Sequence, residues 1–188
     1  MNFPIASVLA LVYVLSEAFL SVSRRAGKSE SAAHDRGSLG LIWAVIFPSV
    51  TLAFFAAQRF PEAGMGDFAA LRIVGSGLFF LGLAIRWYSI IHLGRFFTVN
   101  VAIASDHRLI DTGPYRFVRH PSYSGALMAF LGLGLCLRNF ASLGLMVVPA
   151  WLVFMRRMQV EEAALLQAFG DRYREYIRRT KRVIPAIY

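Results

Sequence analysis

The chain has 188 residues, of which 57% are hydrophobic and 16% are charged, and its formal net charge is +9. This composition excludes an ordinary soluble globular protein. The basic residues cluster between apolar stretches, which disfavours a nucleic-acid-binding protein because such proteins present a soluble basic face. The single cysteine, Cys136, lies in an apolar run, so we predict a small core side chain and no disulfide or metal site. The expected class is an integral membrane protein.

Five apolar segments are near the length needed to cross a hydrocarbon core about 30 Å thick. The first contains Glu17, and the third carries Arg72 and Arg86 near its ends, where we expect these side chains to snorkel toward the interface. The last two are short and form a tight hairpin. In chain order the segments cover residues 3–20, 39–57, 68–92, 122–137 and 140–155.

Glycines recur inside these segments without a strand before them, so a nucleotide-binding glycine loop is not indicated. We interpret them as points where helices pack closely. They are Gly75, Gly77, Gly82, Gly132, Gly134 and Gly144.

The first segment lacks a basic stretch before it, so we interpret it as a retained helix and not as a signal peptide. Five spans with the amino terminus outside place residues 21–38, 92–121 and 156–188 on the cytoplasmic side. Most of the basic residues then lie on that side, as the positive-inside rule requires.

The segment after the last span is predicted to be helical through Phe169, to break at Gly170 and to restart with Asp171 as N-cap. Arg157 and Glu161 are four positions apart and share one face of this helix, where they could form a simple surface ion pair. An apolar stripe at helical spacing indicates that the tail packs on the protein or in the interface. It consists of Leu165, Leu166, Phe169, Tyr173 and Tyr176.

Reactive polar side chains concentrate in residues 95–123 and at the start of the tail. Each has a structural interpretation: His120 precedes Pro121 and could cap the fourth helix, and Tyr115 and Tyr123 could be interfacial anchors. Two arginines are assigned no role beyond the positive-inside charge, Arg116 and Arg119.

The run HRLIDTGPYRFVRHPSYSG (107–125), followed by the hairpin and then RRMQVEEAALLQAFGDRYREY (156–176), resembles the catalytic half of the isoprenylcysteine carboxyl methyltransferases and their prokaryotic relatives. The resemblance covers about residues 92–185. It implies an all-α integral membrane fold with one methyltransferase domain over residues 1–188. Three transmembrane helices would lie in 1–91, and the catalytic half, 92–188, would hold two more and a cytoplasmic tail that forms the cofactor pocket.

The resemblance further implies that S-adenosylmethionine binds in a cytoplasmic pocket without a Rossmann fold. Glu161 matches an acidic residue that holds the methionine end of this cofactor, and Arg157 matches an arginine beside the methyl acceptor. The other implied cofactor contacts are Asn100 (where relatives can have Gln), His107, Arg108, Leu109, Ile110, Tyr115, His120, Pro121, Ser122 and Tyr123.

The chemistry of the reactants suits these residues. S-adenosylmethionine carries a sulfonium, an ammonium and a carboxylate, so its pocket needs an anion, an aromatic face and a donor. A carboxylate acceptor, with a reference pKa near 3.5, is already ionised and needs a cation, which Arg157 can supply bidentately. A phenol, with a pKa near 10, would instead need a base, and His120 or His107 would have to take that role.

The predicted function is methyl transfer from S-adenosylmethionine to the carboxylate of a lipophilic, membrane-embedded acceptor such as a prenylated cysteine. One alternative keeps the cofactor and changes the acceptor to a lipid amine or to the hydroxyl of a long-chain phenol or pyrone. A non-enzymatic membrane protein is disfavoured because the polar residues lie at one face and not at the bilayer midplane. A sterol reductase is more distant, since no nicotinamide-binding pattern is evident.

Overall fold

A computed structural model describes residues 4–23, 37–66, 68–97 and 108–185 of the chain. In these ranges the regular structure is helical, and strand-like pairing is limited to two isolated β-bridges. The predicted all-α class is confirmed. The helices are α1 (Pro4–Ser23), α2 (Ser38–Arg59), α3 (Ala69–Leu93), α4 (Pro121–Leu137), α5 (Phe140–Phe169) and α6 (Asp171–Arg179).

The five predicted apolar segments correspond to α1 through α5. Among the described residues, four helices are long and apolar enough to cross a membrane, namely α1, α2, α3 and α5, while α4 is apolar but has 17 residues. The fifth segment does not end near residue 155. It continues as one helix of 30 residues to Phe169, so the predicted start of the tail is the last part of α5.

Large apolar side chains cover the outside of the helices. Leu11 and Phe19 on α1, Phe47 on α2 and Ile73 on α3 are all exposed. In water such a surface would drive aggregation, whereas in a bilayer lipid covers it. The outer surface and the helix lengths are those of an integral membrane protein.

Glycines bring α3 and α4 into backbone contact. A Cβ added at Gly75 would lie 2.7 Å from the carbonyl oxygen of Gly132, and one at Gly82 would lie 2.5 Å from that of Gly125. Gly134 is similarly close to α5. Close packing is thus confirmed at most of the predicted positions, and Gly125 joins them. The prediction of close packing is wrong at Gly77 and Gly144, where an added Cβ would meet no atom of the described residues within 4 Å.

The prediction that Arg86 snorkels to the interface is wrong. Its guanidinium is buried and holds both carboxylate oxygens of Glu17, with Nε–Oε1 at 2.7 Å and Nη2–Oε2 at 2.8 Å. A further N–H donates to the carbonyl oxygen of Ser122. Arg86 lies about two turns before the end of α3, and Glu17 of α1 meets it there. This ion pair therefore ties α1 to α3 and to the start of α4.

Gly170 separates α5 from α6, as predicted, with a positive φ of 54°. Asp171 is the first residue of α6 and Gly170 holds the cap position, so the prediction of Asp171 as N-cap is wrong. The predicted apolar stripe packs against the protein: Tyr173 and Tyr176 form a buried cluster with Leu109, and the rest of the stripe lies against it.

After α6 the chain turns back toward the start of α4. We call residues 180–183 the strap. Its backbone accepts two hydrogen bonds, from the amide of Arg119 to the Lys181 carbonyl at 2.7 Å and from the amide of His120 to the Arg182 carbonyl at 2.9 Å. The carboxyl-terminal strap is thus paired with the segment that carries the polar motif, which the sequence analysis did not anticipate.

Candidate active site

One cavity brings together most of the residues that the sequence analysis selected. Most of the selected polar residues in its wall come from the segment before α4, from α4 and from α5. The helices α1 and α2 add apolar side chains that include Leu20, Ile42 and Trp43. Pro121 takes the first position of α4, while Asn100 and His107 lie outside the described residues. The selected residues in the wall are Arg108, Leu109, Ile110, Tyr115, His120, Ser122, Tyr123, Arg157 and Glu161.

Glu161 supplies a carboxylate to this wall. Its Oε1 accepts hydrogen bonds from the hydroxyl of Tyr123 at 2.6 Å and from Nε of Arg157 at 3.0 Å. The Arg157 side chain is 2% exposed, whereas that of Glu161 is 26% exposed. The predicted pairing across one turn of α5 is present, but with a buried arginine, so it is not a simple surface ion pair. The carboxylate stays open to the cavity and can meet a cation there.

His120 lies between two carboxylates. Its Nε2 is 3.1 Å from Oε1 of Glu162, and its Nδ1 is 3.5 Å from Oε2 of Glu161. Burial lowers the pKa of the imidazole, but the hydrogen bonds to both glutamates and their charges outweigh it and raise the pKa above its usual value. His120 occupies the N-cap position of α4, as its place before Pro121 indicated, while its side chain turns to the glutamates. This environment therefore favours the protonated imidazole, in which both ring nitrogens are donors.

Glu162 and Arg119 were missed by the sequence analysis. Arg119 had been assigned no role, but its side chain is buried and Nε donates to Oε1 of Glu162 at 3.0 Å. The same guanidinium donates to the carbonyl oxygen of Thr180 in the strap. The pair of consecutive glutamates was the available signal, because neighbours on a helix point about 100° apart and so meet different surroundings. Arg116, by contrast, is exposed as expected.

Of the tyrosines of the motif, Tyr115 is buried and Tyr123 is half-buried, and both line the cavity instead of serving as interfacial anchors. Burial raises the pKa of the Tyr115 hydroxyl, and the charge of Glu161 raises it further, so the group remains a neutral phenol. This hydroxyl donates to the carbonyl oxygen of Ser89 on α3. The ring of Tyr123 lies 5.0 Å from that of Phe154, measured between centroids. Both tyrosines offer rigid aromatic surface to the cavity.

The Glu17–Arg86 pair also lines this cavity, together with Tyr13. The sequence held a signal for it, because a carboxylate in one apolar span and a guanidinium in another are costly in lipid unless they meet. The cavity wall thus also contains Arg86, whose charge is matched by the carboxylate of Glu17 on α1.

The chain is similar to known isoprenylcysteine carboxyl methyltransferases, in agreement with the resemblance noted in its motifs. Residues 75–167 match the model of the isoprenylcysteine carboxyl methyltransferase (ICMT) family. The chain is 33% identical over 133 residues to a probable protein-S-isoprenylcysteine O-methyltransferase of Oryza sativa subsp. indica, which covers 70% of this chain and 69% of the rice protein. It is 32% identical over 177 residues to the Saccharomyces cerevisiae protein-S-isoprenylcysteine O-methyltransferase, with 93% and 69% covered.

The match to the Schizosaccharomyces pombe protein-S-isoprenylcysteine O-methyltransferase is 35% identical over 122 residues, or 64% of this chain and 52% of that protein. Among solved structures, the eukaryotic intramembrane Ras methyltransferase ICMT aligns with a TM-score of 0.65 at 29% identity. That alignment covers 77% of this chain and 52% of the solved one. The chain therefore spans about half to two thirds of the length of these relatives.

Proposed function

The chain belongs to the isoprenylcysteine carboxyl methyltransferase family, and we propose that it transfers the methyl group of S-adenosylmethionine to the carboxylate of a lipophilic acceptor. The observation that carries this proposal is the cavity, which combines the Glu161 carboxylate and the Arg157 guanidinium with apolar side chains from α1 and α2. The wall suits a charged donor and an acceptor that is apolar apart from its reacting group.

The described wall fits S-adenosylmethionine. Glu161 offers a partly exposed anion for the ammonium of the methionine end, and the Tyr115 and Tyr123 rings offer faces that attract a sulfonium. When bound, this molecule supplies an electrophilic methyl group. The further contacts that we propose are Asn100, His107, Arg108, Leu109, Ile110, His120, Pro121 and Ser122.

The residues favour a carboxylate as the acceptor. An acceptor carboxylate is ionised at neutral pH and needs a cation to hold it, a role that we assign to the cavity-lining Arg157. A phenol would need a base, but both ring nitrogens of His120 face glutamates and its pKa is raised, which favours the protonated ring that cannot accept a proton. This arrangement counts against the phenol and pyrone alternatives.

The surroundings of the site suit an acceptor that stays in the membrane. The apolar side chains of Leu20, Ile42 and Ile46 line the cavity, and an apolar wall lowers the local dielectric and so strengthens the charge interactions beside it. We place the site on the cytoplasmic side, because the positive-inside rule puts most of the basic residues there.

Incubation of purified protein with isotopically labelled S-adenosylmethionine and a lipid extract of its host tests the proposal. We expect a labelled lipophilic product that releases labelled methanol in base, because methyl esters are alkali-labile. Label that stays bound in base would identify an ether or amine and support the alternative acceptors. A protein that transfers no label and binds no S-adenosylmethionine would contradict the proposal, and Glu161→Gln is the matched inactive control.

A further inference from the structure

The side chain of Arg182 binds the carboxylate of Glu162 through two of its nitrogens. Nη2 donates to Oε2 at 2.8 Å, and Nε lies 3.1 Å from Oε2 and 3.2 Å from Oε1. The Glu162 carboxylate is largely buried on α5, whereas Arg182 is partly exposed on the strap. Contacts from two nitrogens of one planar guanidinium fix the plane of the carboxylate, which a single hydrogen bond does not do.

The carboxylate held in this way in turn holds His120. Glu162 Oε1 accepts from His120 Nε2 at 3.1 Å, and the other ring nitrogen of His120 points to Glu161 in the cavity wall. A fixed Oε1 of Glu162 fixes the plane of the imidazole. The imidazole then faces Oε2 of Glu161, the oxygen of that carboxylate that Tyr123 and Arg157 do not hold. The contacts form a chain of three charged links from the strap to the cavity.

The strap also holds His120 through its backbone. The amide of His120 donates to the carbonyl oxygen of Arg182, so one strap residue reaches His120 through its own backbone and, by way of Glu162, through its side chain. The hydroxyl of Ser124 adds a hydrogen bond to the carbonyl oxygen of Val183 at 2.6 Å. These hydrogen bonds thus fix the position of the strap against the first turn of α4.

We propose that Arg182 is a positioning residue for the cofactor site, which acts through Glu162 and His120 to set the Glu161 carboxylate for the ammonium of S-adenosylmethionine. The proposal rests on the proposed function, because the site that Arg182 positions is the one we assign to the cofactor. It adds a residue that touches neither reactant and lies outside the motif segments.

Removal of Arg182 has two consequences for His120. The ring loses its fixed partner, while Glu162 shares its charge among fewer cations and so holds the imidazole proton more strongly. A general loosening of the structure would act in the opposite direction, because it would expose the ring to water and separate it from the glutamates. The described groups that face His120 are Glu161 and Glu162 of α5, Tyr123 of α4, Arg119 beside it and Arg182 of the strap.

The test uses the full chain in detergent with three variants. Arg182→Ala removes the contacts with Glu162, and Arg182→Lys keeps the charge without the planar guanidinium. Arg178→Ala is the matched control, because Arg178 is an exposed arginine on α6. Calorimetric titration with S-adenosylmethionine gives the affinity. Nuclear magnetic resonance of the four labelled histidines gives the pKa of the His120 ring, with its signal assigned by its loss in His120→Gln.

We expect Arg182→Ala to weaken S-adenosylmethionine binding about 10-fold, the effect of one charge-assisted hydrogen bond, and to raise the pKa of the His120 ring. Arg182→Lys should recover part of the affinity, and Arg178→Ala should match the wild type. Unchanged affinity in Arg182→Ala, or a weaker affinity with the ring pKa lowered toward about 6.5, overturns the proposal.

A wild-type protein that does not bind S-adenosylmethionine would contradict the proposed function by itself. The ring titration still separates the two ideas in that case. A raised pKa in Arg182→Ala would support the link from the strap to His120, and an unchanged one would overturn it.

Discussion

The two halves of the molecule handle buried charge differently. In α1–α3 the described network at the cavity is one matched pair, Glu17 with Arg86, in which each carboxylate oxygen meets one nitrogen. In the region from the motif to the strap, two carboxylates, those of Glu161 and Glu162, are shared by four cations. These are Arg119, His120, Arg157 and Arg182.

A matched pair is neutral and therefore works as a structural tie. In the cluster each carboxylate contacts more than one cation, so a charged group of a ligand can replace one of these contacts in a site of low dielectric. The difference teaches that the amount of buried charge says less about function than the way in which the charges are shared. It also separates the expected effects of substitutions: the amino-terminal pair should govern stability, and the carboxyl-terminal cluster should govern binding and turnover.

Breaking the amino-terminal pair should have the largest effect on stability. Glu17→Ala leaves the Arg86 guanidinium buried without its carboxylate, which should cost about 3 kcal/mol of unfolding free energy. Thermal and denaturant unfolding in detergent would measure it. The double variant Glu17→Leu with Arg86→Met should be much closer to wild type, because it removes both charges. Equal losses in the single and double variants would contradict the assignment of a structural tie.

Substitution in the carboxyl-terminal cluster should instead act on turnover. Arg157→Ala should lower kcat/KM about 100-fold, or about 2.7 kcal/mol of transition-state stabilisation, with nearly unchanged affinity for S-adenosylmethionine. Arg157→Lys should recover only part of this, since an ammonium lacks the planar fork. Arg157 also contacts Glu161, so an equal loss of cofactor affinity and turnover would mean that it acts through that carboxylate and not on the acceptor.

The glycine contact between α3 and α4 joins the two halves and should respond to a single methyl group. A Cβ at Gly125 would collide with the carbonyl oxygen of Gly82, so Gly125→Ala should cost about 2 kcal/mol of unfolding free energy through overpacking. Gly144→Ala is the control, because a Cβ there meets open space among the described residues and alanine favours a helix. Similar destabilisation by both substitutions would refute the backbone contact.

The pH dependence of stability should report on the carboxyl-terminal cluster. The folded-state pKa of His120 is raised above its unfolded value of about 6.5, so the folded state binds the extra proton. The stabilisation from this ion pairing is then fully present below about pH 6.5 and is lost as the pH rises through the folded pKa. Between these two values the slope is at most about 1.4 kcal/mol per pH unit. Unfolding of the wild type and of His120→Gln across this range would measure it, and parallel curves would contradict it.

Substitution of two tyrosines of α6 should give the smallest changes in the free energy of unfolding, and the two changes should have opposite signs. The Tyr173 hydroxyl is buried and finds no hydrogen-bond partner in the described part of the chain, whereas the Tyr176 hydroxyl donates to the carbonyl oxygen of Tyr115 at 2.6 Å. Tyr173→Phe should therefore be neutral or stabilise the ligand-free protein by up to about 1 kcal/mol, and Tyr176→Phe should destabilise it by about as much. Destabilisation by Tyr173→Phe would reveal a partner for that hydroxyl.

The helices could be predicted from the sequence because length and hydropathy alone define an apolar span. The grouping of Tyr115, His120, Tyr123 and Glu161 could be predicted from the resemblance, since the order and spacing of the motifs carry it. The groups that surround these four residues could not be predicted. Hydrophobic periodicity does not report that a segment after α6 returns to pair with residues before α4, so the strap and its hold on the motif were missed.

Contacts between distant positions account for most of the errors. Glu17 and Arg86 are 69 positions apart, and the pattern of each span gives no register for the other. The same reason explains the glycines: Gly82 and Gly144 have similar local sequence contexts, but one faces a neighbouring backbone and the other faces open space. Only the packing of one helix on another distinguishes them.

The shortness of α4 has a consequence for where the reaction happens. Its 17 residues rise about 25 Å, which is less than the roughly 30 Å of a hydrocarbon core. A span this short requires the bilayer to thin locally around α4, which brings the interface down to His120 at the start of the helix. For the acceptor that we propose, the carboxylate would then reach the site by moving sideways within its leaflet, and most of the apolar part of the acceptor would keep its contacts with lipid while the charged group becomes a neutral ester.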